Sequence, residues 1–245
     1  MHGYGPSTYG DNFADVYDEW YPETDPLVID RLAELGGAGP ALELGSGTGR
    51  IAVPLAARGI AVWALDASAA MADRLRAKPG AERVQVVVGD MADLDATLPR
   101  DAPPFTLAFA VANTVFNLTS EDDQRRCLRQ VASRLSYGGR LVIEAVVPAP
   151  DGPTSAVEAS VVTADAVVLS VSTHDRAAQT VTGQHVQIGT DGIRLRPWVI
   201  RYLTPAQLDA IAADAGLRLE DRWRGWDRAP FEPDGVSHVS VFTAG

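Results

Sequence analysis

The run Ala41-Leu42-Glu43-Leu44-Gly45-Ser46-Gly47-Thr48-Gly49-Arg50 sets an acid two residues ahead of three glycines at alternate positions. Glycine at such places admits backbone angles closed to other residues and lets a ligand lie against the main chain. The apolar-periodic Ile51-Ala52-Val53-Pro54-Leu55-Ala56-Ala57 follows at once, so the turn is expected to open a helix. Strand, glycine turn and helix together point to a nucleoside-bearing ligand. Spacing then narrows the choice. A phosphate-cradling loop ends in Gly-Lys-Ser/Thr, whereas this turn ends Gly49-Arg50-Ile51. A dinucleotide fingerprint places a third glycine where Arg50 stands. A carboxylate at 43 would repel phosphates and suits a ligand carrying a cationic amino group.

Two more acids sit at expected strand ends. Ala61 to Leu65 reads as a strand ending at Asp66, whose carboxylate can accept from both hydroxyls of a ribose, and Val84 to Val88 closes with Gly89-Asp90-Met91. Asp is also common as a turn residue or helix cap, which is the plainer reading of each acid alone. Taken with the glycine turn, the set resembles the class I S-adenosylmethionine (SAM) methyltransferases. The resemblance implies that Asp90 takes the adenine amine and Met91 covers the ring. It extends the cofactor contacts to Gly45, Ser46, Gly47 and Gly49 in the turn, to Ala67 and Met71 after Asp66, and to Ala112 after the fourth strand. The stretch from Tyr9 to Asp18 resembles the helix that many small-molecule members fold over SAM, with Tyr17 and Tyr9 as matching aromatics; simple packing is the alternative for either.

The elements that must hold these residues are legible as an alternation. Helical pieces are expected over Asn12 to Trp20 and Asp25 to Leu35, broken at Tyr21-Pro22. Strands and crossover helices then alternate through Phe105 to Val111, Glu121 to Leu135 and Arg140 to Val147, with Tyr137-Gly138-Gly139 as a helix stop. The fold class expected is α/β: a Rossmann-like doubly wound sheet of seven strands, the last antiparallel as in the family. Between Pro148 and Tyr202 the alternation lapses into four Val-, Thr- and Ile-rich runs with turn signals between them, read as antiparallel hairpins inserted after the fifth strand. These hairpins either cover the site or serve as a dimer surface or simple decoration. Helix Pro205 to Ala215, capped by Thr204, leads to strands Leu217 to Trp226 and Val236 to Thr243. One domain over 1–245 is expected, with 1–36 as a helical cover and 148–202 as the insertion.

Ligands of open α/β sheets bind beyond the carboxyl ends of the parallel strands. That places Asn113, Asn117 and Glu144 on the acceptor side. An antiparallel last strand would add Trp226, Asp227, Arg228, Phe231 and His238 at the pocket mouth. Among four histidines, His2 falls in a terminus, His174 at a hairpin tip where water would solvate it, and His185 mid-strand with a reach that depends on the insertion. His238 is the expected general base, with a purely structural histidine as the alternative. No His, Cys and carboxylate spacing suggests a metal.

Composition excludes whole classes of partner. With 21 Lys and Arg against 32 Asp and Glu the formal charge is −11, so a nucleic-acid partner is not expected and the acceptor is read as a small molecule. The single Cys127 lies in a helical pattern and reads as a buried thiol. No run reaches spanning length, and the opening residues lack a signal-peptide pattern, so no membrane partner and a cytoplasmic location are expected. The Ala112-Asn113-Thr114 end of the fourth strand departs from the Asp/Asn-Pro-Pro-Tyr motif that serves planar amines, which counts against nucleobases and protein glutamines. The pattern looks like bacterial natural-product enzymes, including sugar N-methyltransferases. A SAM-binding protein that transfers nothing, and a nicotinamide reductase, are the rivals from other classes.

Overall fold

The computed structural model describes residues 3–22, 24–232 and 235–245; His2 lies outside them. The chain opens with helices α1 (Thr8–Phe13), α2 (Tyr17–Trp20) and α3 (Pro26–Gly36). Asp25 caps α3 by accepting from the Leu27 N–H, with Pro26 in the first turn. Alternation follows: β1 (Ala41–Leu44), α4 (Ala52–Ala57), β2 (Val62–Asp66), α5 (Ala69–Arg76), β3 (Val84–Val88), α6 (Leu94–Thr97), β4 (Phe105–Ala110), α7 (Glu121–Arg134) and β5 (Leu135–Val146). Four consecutive strands come next, β6 (Ser155–Val162), β7 (Ala166–Asp175), β8 (Thr180–Gly189) and β9 (Gly192–Arg201). Then α8 (Pro205–Asp214), β10 (Leu217–Trp223) and β11 (Ser237–Ala244) close the chain.

The strands form a seven-stranded sheet in the order β10-β11-β5-β4-β1-β2-β3 and a separate four-stranded sheet β6-β7-β8-β9. In the larger sheet β1 to β5 are parallel and β11 is antiparallel to both of its neighbours, as expected. Order reverses beside β1, and the crevice at that switch point, beyond the ends of β1 and β4, is where such sheets bind ligands. Both faces are filled. Leu42, Leu44, Phe105 and Phe116 pack with α7 on one side, and Leu32, Leu55, Leu75 and Phe109 with α3 and α4 on the other.

Three elements depart from the expected ranges by more than two residues, each for a tertiary reason. The first helix breaks into α1 and α2 because Arg196 of β9 donates to the Asn12 carbonyl, which would otherwise take the Val16 N–H; that N–H turns to Phe13 instead. β5 begins at Leu135 rather than Arg140. Leu135 pairs with Phe105, the chain bulges through Gly138 at φ +71°, and pairing resumes between Arg140 and Leu107. β10 stops at Trp223, where Arg224 donates to the Ala229 carbonyl and turns the chain, so Trp226 lies on a turn. Cys127 is buried in α7, its thiol pushed up to about 12 by burial first and by Asp90 second. Among the described residues no helix is long and apolar enough to cross a membrane.

Candidate active site

The glycine turn is shaped by a carboxylate from the next strand. Gly45, Gly47 and Gly49 have φ of +62°, +54° and +81°, angles that favour glycine. Asp66 Oδ2 accepts the Gly47 N–H at 2.7 Å and Oδ1 accepts the Ser68 N–H at 2.8 Å. An ionised carboxylate has about four acceptor positions, so two remain for a pair of hydroxyls. Burial raises the Asp66 pKa against the lowering effect of those two N–H groups. Glu43 lies deeper. It is 4% exposed, and burial pushes its carboxyl up to about 8 despite the nearby Arg50. Its Oε2 and the hydroxyl of Ser46 are buried without a hydrogen-bond partner among the described residues. Such groups are costly to leave unpaired, and a polar ligand against the turn would satisfy them.

These groups open into one cavity of about 570 Å³, within the range of cofactor and small-molecule sites. Its floor is the strand ends. Glu43, Gly45, Ser46 and Gly47 come from β1 and its turn, Asp66, Ala67 and Met71 from β2 and α5, and Asp90 and Met91 from β3. Asp90 also steadies its own loop by accepting the Ala92 N–H at 2.8 Å. Ala112, Asn113 and Asn117 line the cavity beyond β4. Ala112 and Asn113 hold positive φ of 56° and 63°, a conformation that costs an L-residue roughly 1–2 kcal/mol. β5 clamps them there: Glu144 Oε2 accepts the Ala112 N–H at 2.8 Å, and Asn113 Oδ1 accepts the Val146 N–H at 2.6 Å.

The roof comes from two places. From the N-terminus, Tyr9, Tyr17 and Tyr21 line the cavity, and Tyr17 sits over Gly47. α2 is pinned to the turn by Asp18, which accepts from Thr48 at 2.6 Å and Lys78 at 2.7 Å. α1 lies close on α5 because Gly10 leaves room; a Cβ there would meet Ser68 at 2.4 Å. From the second sheet come His185, Trp198 and Ile200. Trp198 lies across Gly183, where a Cβ would meet the indole at 2.3 Å. Arg196, 2% exposed, ties this sheet to the N-terminal helices through Asp15 and the Asn12 carbonyl. The insertion therefore covers the cavity, one of the expected roles.

Seven expected site residues stand elsewhere. Gly49 is not among the cavity lining; a Cβ there would strike Leu75 at 2.5 Å, so it packs the turn on α5. Glu144 braces rather than lines: its Oε1 takes the indole N–H of Trp226 at 2.7 Å, which also accounts for Trp226 being buried away from the cavity. Phe231 packs beside His238 and under the Arg222 guanidinium. Arg228 reaches Glu34 and the Trp223 ring instead of the mouth, and the exposed Asp227 accepts the Ala229 N–H of its own turn. His238 needs the clearest correction. It is at the expected end of β11, but its side chain is fully buried beside Ser240, 2.9 Å from Nδ1, with Arg222 close by. Strand alternation puts it on the α8 side of the sheet, and burial lowers its pKa to about 4. His174 is no solvated tip either; its Nε2 lies 3.0 Å from the Tyr202 hydroxyl.

Among the lining residues missed in the sequence are Trp198, Ile200, Tyr21 and Tyr4, with His185 left undecided. A glycine inside a strand run often marks a close approach, and Gly183 was that signal for Trp198.

The methyltransferase-domain family matches residues 41–139, the stretch from β1 to the bulge of β5. No curated protein matches the chain. Among solved structures, the chain is similar over its whole length to the CcbJ methyltransferase from Streptomyces caelestis: 37% identity, TM-score 0.89, 99% of this chain and 100% of that one covered. SAM-bound CalS10, an amino pentose methyltransferase from Micromonospora echinaspora, shares the fold at 21% identity and TM-score 0.61, with 99% and 93% covered. So does the sugar N-methyltransferase KedS8 from Streptoalloteichus, at 20% identity and TM-score 0.61, with 98% and 89% covered.

Proposed function

Because the chain belongs to the S-adenosylmethionine-dependent methyltransferases, we propose that it transfers the methyl group to a nitrogen or oxygen of a small molecule in natural-product or sugar biosynthesis. The observation that carries this reading is the double lining of one cavity. One end has the glycine turn and three acids, and the other has an aromatic wall from the insertion and the turn after β4. SAM supplies an already activated methyl on a sulfonium, so the protein's work is binding and alignment. In this reading Asp66 takes the ribose, Asp90 and Met91 the adenine, and Glu43 a cationic amino group, with Tyr17 over the turn. Asn113 and Asn117 face the acceptor. Residues 1–36 act as the helical cover. CalS10 and KedS8, an amino pentose and a sugar N-methyltransferase, support the acceptor class by their similarity, and the scarcity of cationic groups in the cavity lining favours an amine or hydroxyl over an anionic acceptor.

The test is transfer of a trideuteromethyl label from SAM to a panel of amino sugars, amino acid amides and phenols, read by mass spectrometry. Label on an amine or hydroxyl is the expected result. Label on none of them, with SAM bound, would favour the silent SAM-binding rival.

The homodimer remains part of this reading. What supports it is the outer face of the second sheet, where register puts Val162, Ile193 and Leu195 on the side opposite His185, and all three are more than half exposed. A single monomer peak in light scattering at micromolar concentration would exclude it.

A further inference from the structure

The cavity needs a group that can take the proton an acceptor sheds, and its lining offers few. Glu43 is assigned to the cofactor end. Asp66 and Asp90 are committed to backbone N–H groups. Asp123 accepts from the Ser120 hydroxyl and is paired with Arg126. Tyr4, Tyr9, Tyr17 and Tyr21 are held protonated, their pKa values raised by burial. His238 is in the core. What is left is His185, which lines the cavity from the centre of β8.

The ring of His185 is held in place by aromatic neighbours rather than by hydrogen bonds. Phe13 of α1 meets it edge-on at 5.4 Å, Trp20 of α2 lies at 5.5 Å, and Trp198 of β9 lies at 6.3 Å. Nδ1 is closed off from solvent and has no hydrogen-bond partner among the described residues, so Nε2 is the nitrogen that can meet a ligand. The charge bearing on the ring is that of Arg196, its cross-strand partner, itself paired with Asp15; Ser170 of β7 is the partner on the other side. Burial first, and Arg196 second, lower its pKa, which keeps the imidazole neutral near pH 7.

We propose that His185 faces the point of methyl transfer and accepts the proton released by the acceptor. This rests on the methyl-transfer reading above. In the step, a lone pair on the acceptor nitrogen or oxygen forms the bond to the methyl carbon. The carbon–sulfur bond breaks with its electrons kept on sulfur, leaving S-adenosylhomocysteine, and the acceptor's proton passes to His185 Nε2 and on to solvent. The second sheet thus contributes chemistry as well as cover.

Sinefungin tests this without a known acceptor, because it carries an amino group where SAM carries the transferable methyl. Titration calorimetry compares sinefungin with S-adenosylhomocysteine on the full chain, on His185→Phe, which keeps the aromatic packing, and on His185→Asn, which keeps polarity. A hydrogen bond from an ammonium to neutral imidazole corresponds to roughly tenfold or more in affinity. The preference for sinefungin should therefore fall about tenfold in both variants, while S-adenosylhomocysteine affinity stays within about twofold of the parent's. In the parent the preference should also weaken on acidification, at a pH below the ordinary histidine value because burial and Arg196 lower this ring's pKa, since an imidazolium repels the ammonium, and the variants should show no such limb. An equal preference in parent and in whichever variant melts cooperatively, or a pH-independent preference in the parent, would overturn the proposal. Failure of folded parent to bind S-adenosylhomocysteine would instead overturn the methyl-transfer reading.

Discussion

Glu43 carries an acid in an almost wholly buried place, and its chemistry follows from that. Held near pKa 8 by burial, it is largely protonated at pH 7 with no ligand, and a cationic amino group placed beside Oε2 should drive it to ionise. S-adenosylhomocysteine binding at pH 7 should then release up to about one proton, seen as a calorimetric enthalpy that varies with the buffer's ionisation heat. Glu43→Gln should abolish that dependence. His238 shows the same physics with the opposite charge. Its pKa is about 4 in the folded chain against roughly 6.5 when unfolded, so the unfolded state binds the proton first. Its contribution is whole above about pH 6.5 and is lost as pH falls toward the folded value. The parent should lose about 2 kcal/mol between pH 7 and pH 5 from this group, and His238→Asn should lose correspondingly less, judged by urea midpoints. Equal pH sensitivity in both would mean that the ring is not buried neutral.

At the scale of elements, the insertion is built around one glycine. Gly183→Val would drive a branched side chain into the Trp198 indole, and overpacking of this kind costs about 1–3 kcal/mol. A lowered urea midpoint with near-parental S-adenosylhomocysteine affinity is the expected pair of results; an unchanged midpoint would mean that the indole moves aside freely. This wall also shows what a sequence withholds. The glycine turn and the acids at 43, 66 and 90 were legible because each strand end carries its own signal, and the structure does gather them in one cavity. The four hairpin strands were legible as well, since β-branched runs and turns mark them locally. Which face each presents depends on where the sheet docks, and docking rests on Arg196 reaching Asp15 across 181 residues. Arg196 also divides α1 from α2, through the Asn12 carbonyl. For His238 the strand was right and the side was not, because a strand shows its alternation in sequence but not which helix covers which face.

In the whole molecule, the large sheet supplies the cavity floor, while the N-terminal helices and the small sheet close over it, tied together by Arg196 and to α7 by the Arg201–Glu121 pair and the Gln124–Arg201 bonds. Methyl transfer as proposed requires SAM on that floor with its ribose on Asp66. The most direct measurement is therefore calorimetric titration of S-adenosylhomocysteine into the parent and into Asp66→Ala. The account predicts micromolar binding to the parent and a loss of tenfold or more in the variant, since each hydrogen bond to a charged acceptor contributes roughly 1.5–3 kcal/mol. Absence of binding to folded parent, or equal affinity in the two, would contradict it.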